Sequence, residues 1–116
     1  MEYGILQPLP PNILGEWLET LKTRLAISGN YQDEILVEYI AIAHRNIWTQ
    51  YYNLELDEHN IVPAENEWAY DFVTKQGTLH LAALYFSNPT ETTETKNTIV
   101  DQRMLYKILG NRVFYG

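Results

Sequence analysis

Residues 78–86 (TLHLAALYF) carry no charge at neutral pH and place apolar or ring side chains on every side of the helix they predict. A helix without a polar face needs neighbours all round it. In a chain of 116 residues the helices available to surround it are few and short, so the segment raises the question of whether a second copy completes its burial.

The other segments fit the same class. An apolar share of 46% is that of a folded globular protein, and the length suits one domain with one modest core. With no cysteine, a disulfide framework, a thiolate metal site and a cysteine nucleophile are all excluded. The first residues, MEYGILQPLPP, lack the basic start and apolar run of a signal peptide. No run reaches the ~18 apolar residues of a membrane span, and the chain reads as intracellular when made. A formal charge of −7, from eight Lys and Arg against fifteen Asp and Glu, argues against binding nucleic acid through its phosphates.

The pattern predicts an all-α fold, a small bundle of about four helices in a single domain over residues 1–116. Pro8, Pro10 and Pro11 favour an extended arm over 1–11. Residues 12–53 hold the first two helices. In the first, capped by Asn12 and read over 14–27, Leu14, Trp17, Leu18, Leu21, Leu25 and Ala26 recur at helical spacing, and Ser28-Gly29-Asn30 stops it. In the second, over about 32–52, Leu36, Tyr39, Ile40, Ala43, Ile47 and Tyr51 form a core stripe. A second row, Val37, Ala41, His44 and Trp48, widens the apolar arc beyond that of a helix with one free side.

Residues 54–66 read as an acidic connecting loop interrupted by Pro63. A third helix over 67–86 starts near Pro63 or Asn66 and ends before Asn88-Pro89. A polar loop over 87–100, threonine-rich from 90 to 98, precedes a last helix and tail over 101–116. That helix runs from Asp101 to Leu109 with Met104, Leu105, Ile108 and Leu109 as its apolar residues, and Gly110-Asn111 stops it. Gly77 weakens the third helix locally or lets another backbone come close.

Chemistry-bearing sets are sparse. His44, His59 and His80, even with Asp57 or Glu58, come from separate segments without the close pairing of an HExxH helix, so no metal is expected. His44 and His80 belong at the margins of apolar faces and His59 in solvent. The acid pairs Asp33-Glu34, Asp57-Glu58 and Glu65 with Glu67 have the spacing of solvated acids, and neither a phosphate-cradling glycine loop nor a GxSxG elbow occurs. No catalytic residue and no cofactor is expected, and the chain reads as not an enzyme. Among the aromatics, Trp17, Tyr39 and Phe72 are expected in the core, whereas Trp48, Tyr52, Phe114 and Tyr115 divide between surface and interface.

The segments LKTRLAI (21–27), SGNYQDE (28–34), ILVEYIAIAHRNI (35–47), GTLHLAALYFSNPTET (77–92) and MLYKILGNRVFY (104–115) resemble, in this order, the small head-tail connector proteins of long-tailed bacteriophages. The resemblance covers most of the chain, each motif being loose and mostly apolar. It implies an all-α subunit that forms a ring on the portal protein, extends the DNA channel and docks the next head-completion or tail protein. The genome would pass without specific binding and no membrane would be involved. The location implied is the virion head-tail junction, after assembly in the host cytoplasm. Where members often carry an Arg-Glu pair, this chain has Ser87-Asn88-Pro89-Thr90-Glu91, so a contact of that arginine is not carried over, and the arm lies outside the match.

On this reading Val37, Ala41, Trp48, Leu81, Tyr85, Phe114 and Tyr115 are candidate subunit or partner interface residues. In the third helix Leu79, Ala83 and Phe86 would close the subunit's own core, with Leu81 and Tyr85 nearer a neighbour or the last helix. Asp57, Glu58, Glu65, Glu67, Glu91 and Glu94 are candidate channel-facing acids, since an acidic wall does not trap DNA. The alternative is a small helical regulatory protein-binding module, antitoxin-like or transcription-modulating, with one protein target in its apolar groove.

Overall fold

The computed structural model describes residues 9–87 and 99–113. Among these residues it is an all-α bundle of four α-helices with no strand. The expectations on arm residues 1–8, on the threonine-rich run and on Phe114 and Tyr115 lie outside them.

Helix α1 spans Pro11–Leu25. Pro11 occupies the first helical position, where its missing N–H would have had no partner in any case, and the Leu14 N–H donates to the Pro10 carbonyl (2.8 Å). Pro10 rather than Asn12 therefore stands at the cap. The helix ends at Ala26, whose backbone is left-handed (φ 59°) so that the Ile27 N–H reaches back to the Lys22 carbonyl (2.9 Å). Trp17 and Leu21 face the core. Lys22 is also buried, its Nζ lying 2.9 Å from Asp33 Oδ1 and 3.2 Å from Asn30 Oδ1, which ties the end of α1 to the entry of α2.

Helix α2 spans Asp33–Asn46 and continues as a wider π turn over Ile47–Tyr51, closed by the Tyr52 N–H on the Ile47 carbonyl (2.9 Å). Its expected stripe is in place: Leu36, Tyr39, Ile40, Ala43 and Ile47 are buried and Tyr51 is half-buried. The second row is covered as well, since Ala41, His44 and Trp48 are buried and only Val37 is half-exposed.

The cover comes from α1 and from residues 53–71, which are acidic as expected but turn their apolar side chains inward instead of forming a solvated loop. Val62 and Ala69 are buried, and Leu54, Leu56, Trp68 and Tyr70 pack against the core. Helix α3 spans Phe72–Ser87, so it begins later than Pro63 or Asn66. Those residues make turns instead: the Asn66 N–H donates to the Pro63 carbonyl (3.1 Å), and the Trp68 N–H to Asn66 Oδ1 (2.9 Å). Asp71 is the real cap, accepting from the Thr74 N–H (3.0 Å). Phe72, expected in the core, emerges just after this cap and is 73% exposed.

α3 runs antiparallel to α2. Tyr52 meets Thr74 at one end (Oη to Oγ1 2.7 Å), and the rings of Tyr39 and Tyr85 meet at the other. Helix α4, Ile99–Leu109, packs on α3 through Leu105 and Leu109, and Gly110–Arg112 follows as a 3-10 turn. The neighbours that the uncharged stretch requires are thus α1, α2 and α4 of the same chain. Gly77 serves this packing, because a Cβ there would stand 2.6 Å from Leu109 Cδ2. The close approach is by a side chain of α4 and not by another backbone. Among the described residues no helix is long and apolar enough to cross a membrane.

Candidate functional site

The most organised polar cluster lies where residues 53–71 cross α1, α2 and the chain's C-terminal turn. His44 is buried on α2, with its ring stacked on Tyr70 (centroids 5.4 Å) and met edge-on by Trp17 (5.5 Å). Its Nε2–H donates to the Ala69 carbonyl at 2.8 Å, a partner that can only accept, so Nε2 carries a hydrogen. Burial pushes its pKa down to about 4, against the opposing pull of that hydrogen bond. The arrangement clamps the connection onto α2 and keeps the imidazole from water.

Beside it a relay of hydroxyls fastens the connection to α3. Thr74 Oγ1 donates to the Trp68 carbonyl (2.6 Å), which leaves the Tyr52 hydroxyl to donate to Thr74. Trp48 Nε1–H donates to the Glu55 carbonyl (3.1 Å), and its ring meets Tyr52 edge-on. Arg112 closes the cluster from outside: its guanidinium lies 4.5 Å from the Trp68 ring centroid and pairs with Asp71. Burial of the Asp71 carboxyl would raise its pKa, but the Arg112 bonds and charge and the Thr74 N–H together hold it below the usual value. His44, Tyr52, Thr74, Trp48, Asp71 and Arg112 each spend a polar group on holding residues 53–71 or the C-terminal turn to the helices.

The proposed interface residues separate under this geometry. Ala41, Trp48, Leu81 and Tyr85 are inside the subunit, at 7%, 1%, 1% and 4% exposure, which corrects their placement on an outer face. Tyr85 also accepts a hydrogen bond from Asn46 Nδ2 (2.8 Å), and burial raises its pKa. On α3, Leu79 closes the core, Ala83 and Phe86 are half-buried and packed against it, and Leu81 and Tyr85 are buried too, so both sides of the helix are covered within the subunit. Val37 alone among the described interface candidates keeps a partly open surface. Tyr52, divided between surface and interface by its type, is 4% exposed and belongs to the core.

Of the acids, Asp57 is exposed yet structural, with Oδ1 accepting from the N–H groups of His59 (2.8 Å) and Ile61 (3.0 Å). Glu58 faces solvent beside the exposed His59, and Glu65 and Glu67 are exposed. Glu91 and Glu94 lie outside the described residues. Among the described residues no group of three His, Asp or Glu side chains is placed to hold a metal ion. An open groove of about 510 Å³ runs between Leu9, Pro10 and Pro11 on one side and Asp57, Ile61, Val62 and Tyr70 on the other. The Tyr70 hydroxyl there has its pKa raised by burial and by the Asp57 charge.

Exposed apolar bulk is found elsewhere. Tyr31 is 88% exposed and Ile35 40%, at the entry of α2, and Met104 is 47% exposed on α4. Periodicity groups Met104 with Leu105 and Ile108, but Met104 stands out in solvent between the exposed Arg103 and Lys107, whereas Leu105 is buried and Ile108 half-buried. No family model, curated protein or solved structure matches the chain.

Proposed function

We propose that the protein is a noncatalytic structural adaptor, a head-tail connector subunit of a long-tailed bacteriophage that forms a ring on the portal protein. Its place would be the head-tail junction of the virion, where the ring extends the DNA channel and docks the next head-completion or tail protein. The observation that carries the reading is the order of the resembling segments, 21–27, 28–34, 35–47, 77–92 and 104–115, along one chain. The all-α bundle agrees with the fold that the resemblance implies.

Charge supports it. With a net −7, the chain suits a passage through which DNA moves without being held, and Glu58, Glu65 and Glu67 are exposed, as acids lining such a passage would have to be. The buried polar side chains His44 and Thr74 are occupied in holding the connection to the bundle, which fits an adaptor whose task is to keep its shape.

The test is light scattering with native mass spectrometry, run with and without the purified portal of the same genome. The expected result is a ring or a portal-bound assembly. A protein that stays monomeric in both conditions and shows no affinity for the portal overturns the reading.

A further inference from the structure

Two helices of this chain carry the same three-residue pattern with opposite charge. On α2, Glu34 and Glu38 stand one turn apart with the exposed Ile35 following the first, and Tyr31 extends the patch by another turn. On α4, Arg103 and Lys107 stand one turn apart with the exposed Met104 following the first. In each helix the pattern is i, i+1 and i+4, so the two charges are separated by the same ~6 Å on both surfaces.

The cations are conspicuous in an acidic chain. Lys22, Lys75 and Arg112 are paired with Asp33, Glu16 and Asp71, while Arg103 and Lys107 form no ion pair with any described residue. Glu34 and Glu38 are likewise in no such pair. Among the described residues the two surfaces do not pair within one subunit: α4 rests on α3, and its ring contact with the α2 segment is at that segment's far end, between Tyr106 and Tyr51.

We infer that the α2 entry of one copy docks against the α4 face of the next, with Ile35 and Tyr31 against Met104 and Glu34 and Glu38 opposite Arg103 and Lys107. Because the two surfaces differ, the contact is heterologous and repeats head to tail. Exposed ion pairs contribute little each, so their main effect is to fix register and exclude a like-charged pairing, while the apolar groups supply the burial. Closure into a ring rests on the adaptor reading above.

Sedimentation velocity of the full chain over a concentration series tests the contact, using Glu34→Lys with Glu38→Lys as one variant and Arg103→Glu with Lys107→Glu as the other. Glu34, Arg103 and Lys107 are exposed and Glu38 is half-buried, and circular dichroism checks that each variant keeps its helices. The wild type is expected to form species larger than a dimer. Either variant alone, with like charges on both faces, should associate at least about tenfold more weakly. An equimolar mixture should recover assembly, since each variant then offers the other a complementary face.

Variants that assemble like the wild type, a mixture without recovery, or a wild type that stops at monomer or dimer would each overturn the contact. Portal binding by the same samples separates the two conclusions. If binding persists when the contact fails, the adaptor reading stands without this interface; if both are lost, neither survives.

Discussion

Arg112 and Asp71 meet fork to fork, Nη1 to Oδ1 at 3.0 Å and Nη2 to Oδ2 at 2.8 Å, and so join the last turn of the chain to the first turn of α3. Asp71 has a second task in the same position, since its Oδ1 also accepts from the Thr74 N–H. The two tasks separate by mutation.

Asp71→Ala removes both the cap and the pair and should cost about 1–2 kcal/mol in urea denaturation. Asp71→Asn keeps a capping oxygen and should cost less than the alanine change. Equal losses would show that the cap contributes nothing.

His44 makes stability depend on pH. Its folded pKa of about 4 lies below the ordinary 6.5, so between these values the unfolded chain binds the proton more readily and acid favours unfolding. Stability should be level with respect to this group above pH 6.5 and fall by up to about 3 kcal/mol as pH drops to 4. Asp71 acts in the same direction but in a more acidic window, because its carboxyl is held below its ordinary 3.8. His44→Gln should flatten the curve between pH 4 and 6.5; an unchanged slope would assign the titration elsewhere.

Gly77 and Leu109 should show coupling of opposite sign. Gly77→Ala gains about 0.5–1 kcal/mol of helix preference. It also forces Leu109 Cδ2 from a 2.6 Å approach, an overpacking that costs about 1–3 kcal/mol, so the single variant should be destabilised. In a Leu109→Ala background the obstruction is gone and the same change should stabilise. A double-mutant cycle in urea reads the reversal.

Tyr85→Glu should unfold the subunit, because it buries a carboxylate in a site 4% exposed. Tyr85→Phe should lose only about 1 kcal/mol with the Asn46 hydrogen bond. Circular dichroism distinguishes the two, and a folded Tyr85→Glu protein with altered assembly would return Tyr85 to an interface.

Helical periodicity was sufficient for the class of fold and for most buried residues of α1 and α2. Spacing at three and four fixes which side chains share a face, so Trp17, Leu36, Ile40 and Ile47 were legible as core. The start of α3 was not, because Pro63, Asn66 and Asp71 are all acceptable helix starters and local preference does not rank them. In the structure the cap is Asp71, which also pairs with Arg112 forty-one positions later, a partner that local preference cannot register.

Residue by residue, the sequence determined how much apolar surface had to be covered, including the uncharged 78–86 stretch with no polar side. Only the tertiary structure decided what covers it. A periodic pattern specifies the faces of a helix but carries no information on partners distant in sequence. An irregular segment such as 53–71, which lays Val62, Ala69 and Tyr70 over the second row of α2, has no period by which to announce itself. The cover of the 78–86 stretch is therefore supplied from within the subunit, by α1, α2 and α4, and the faces proposed above for contact between copies lie elsewhere, at Glu34, Glu38, Arg103 and Lys107.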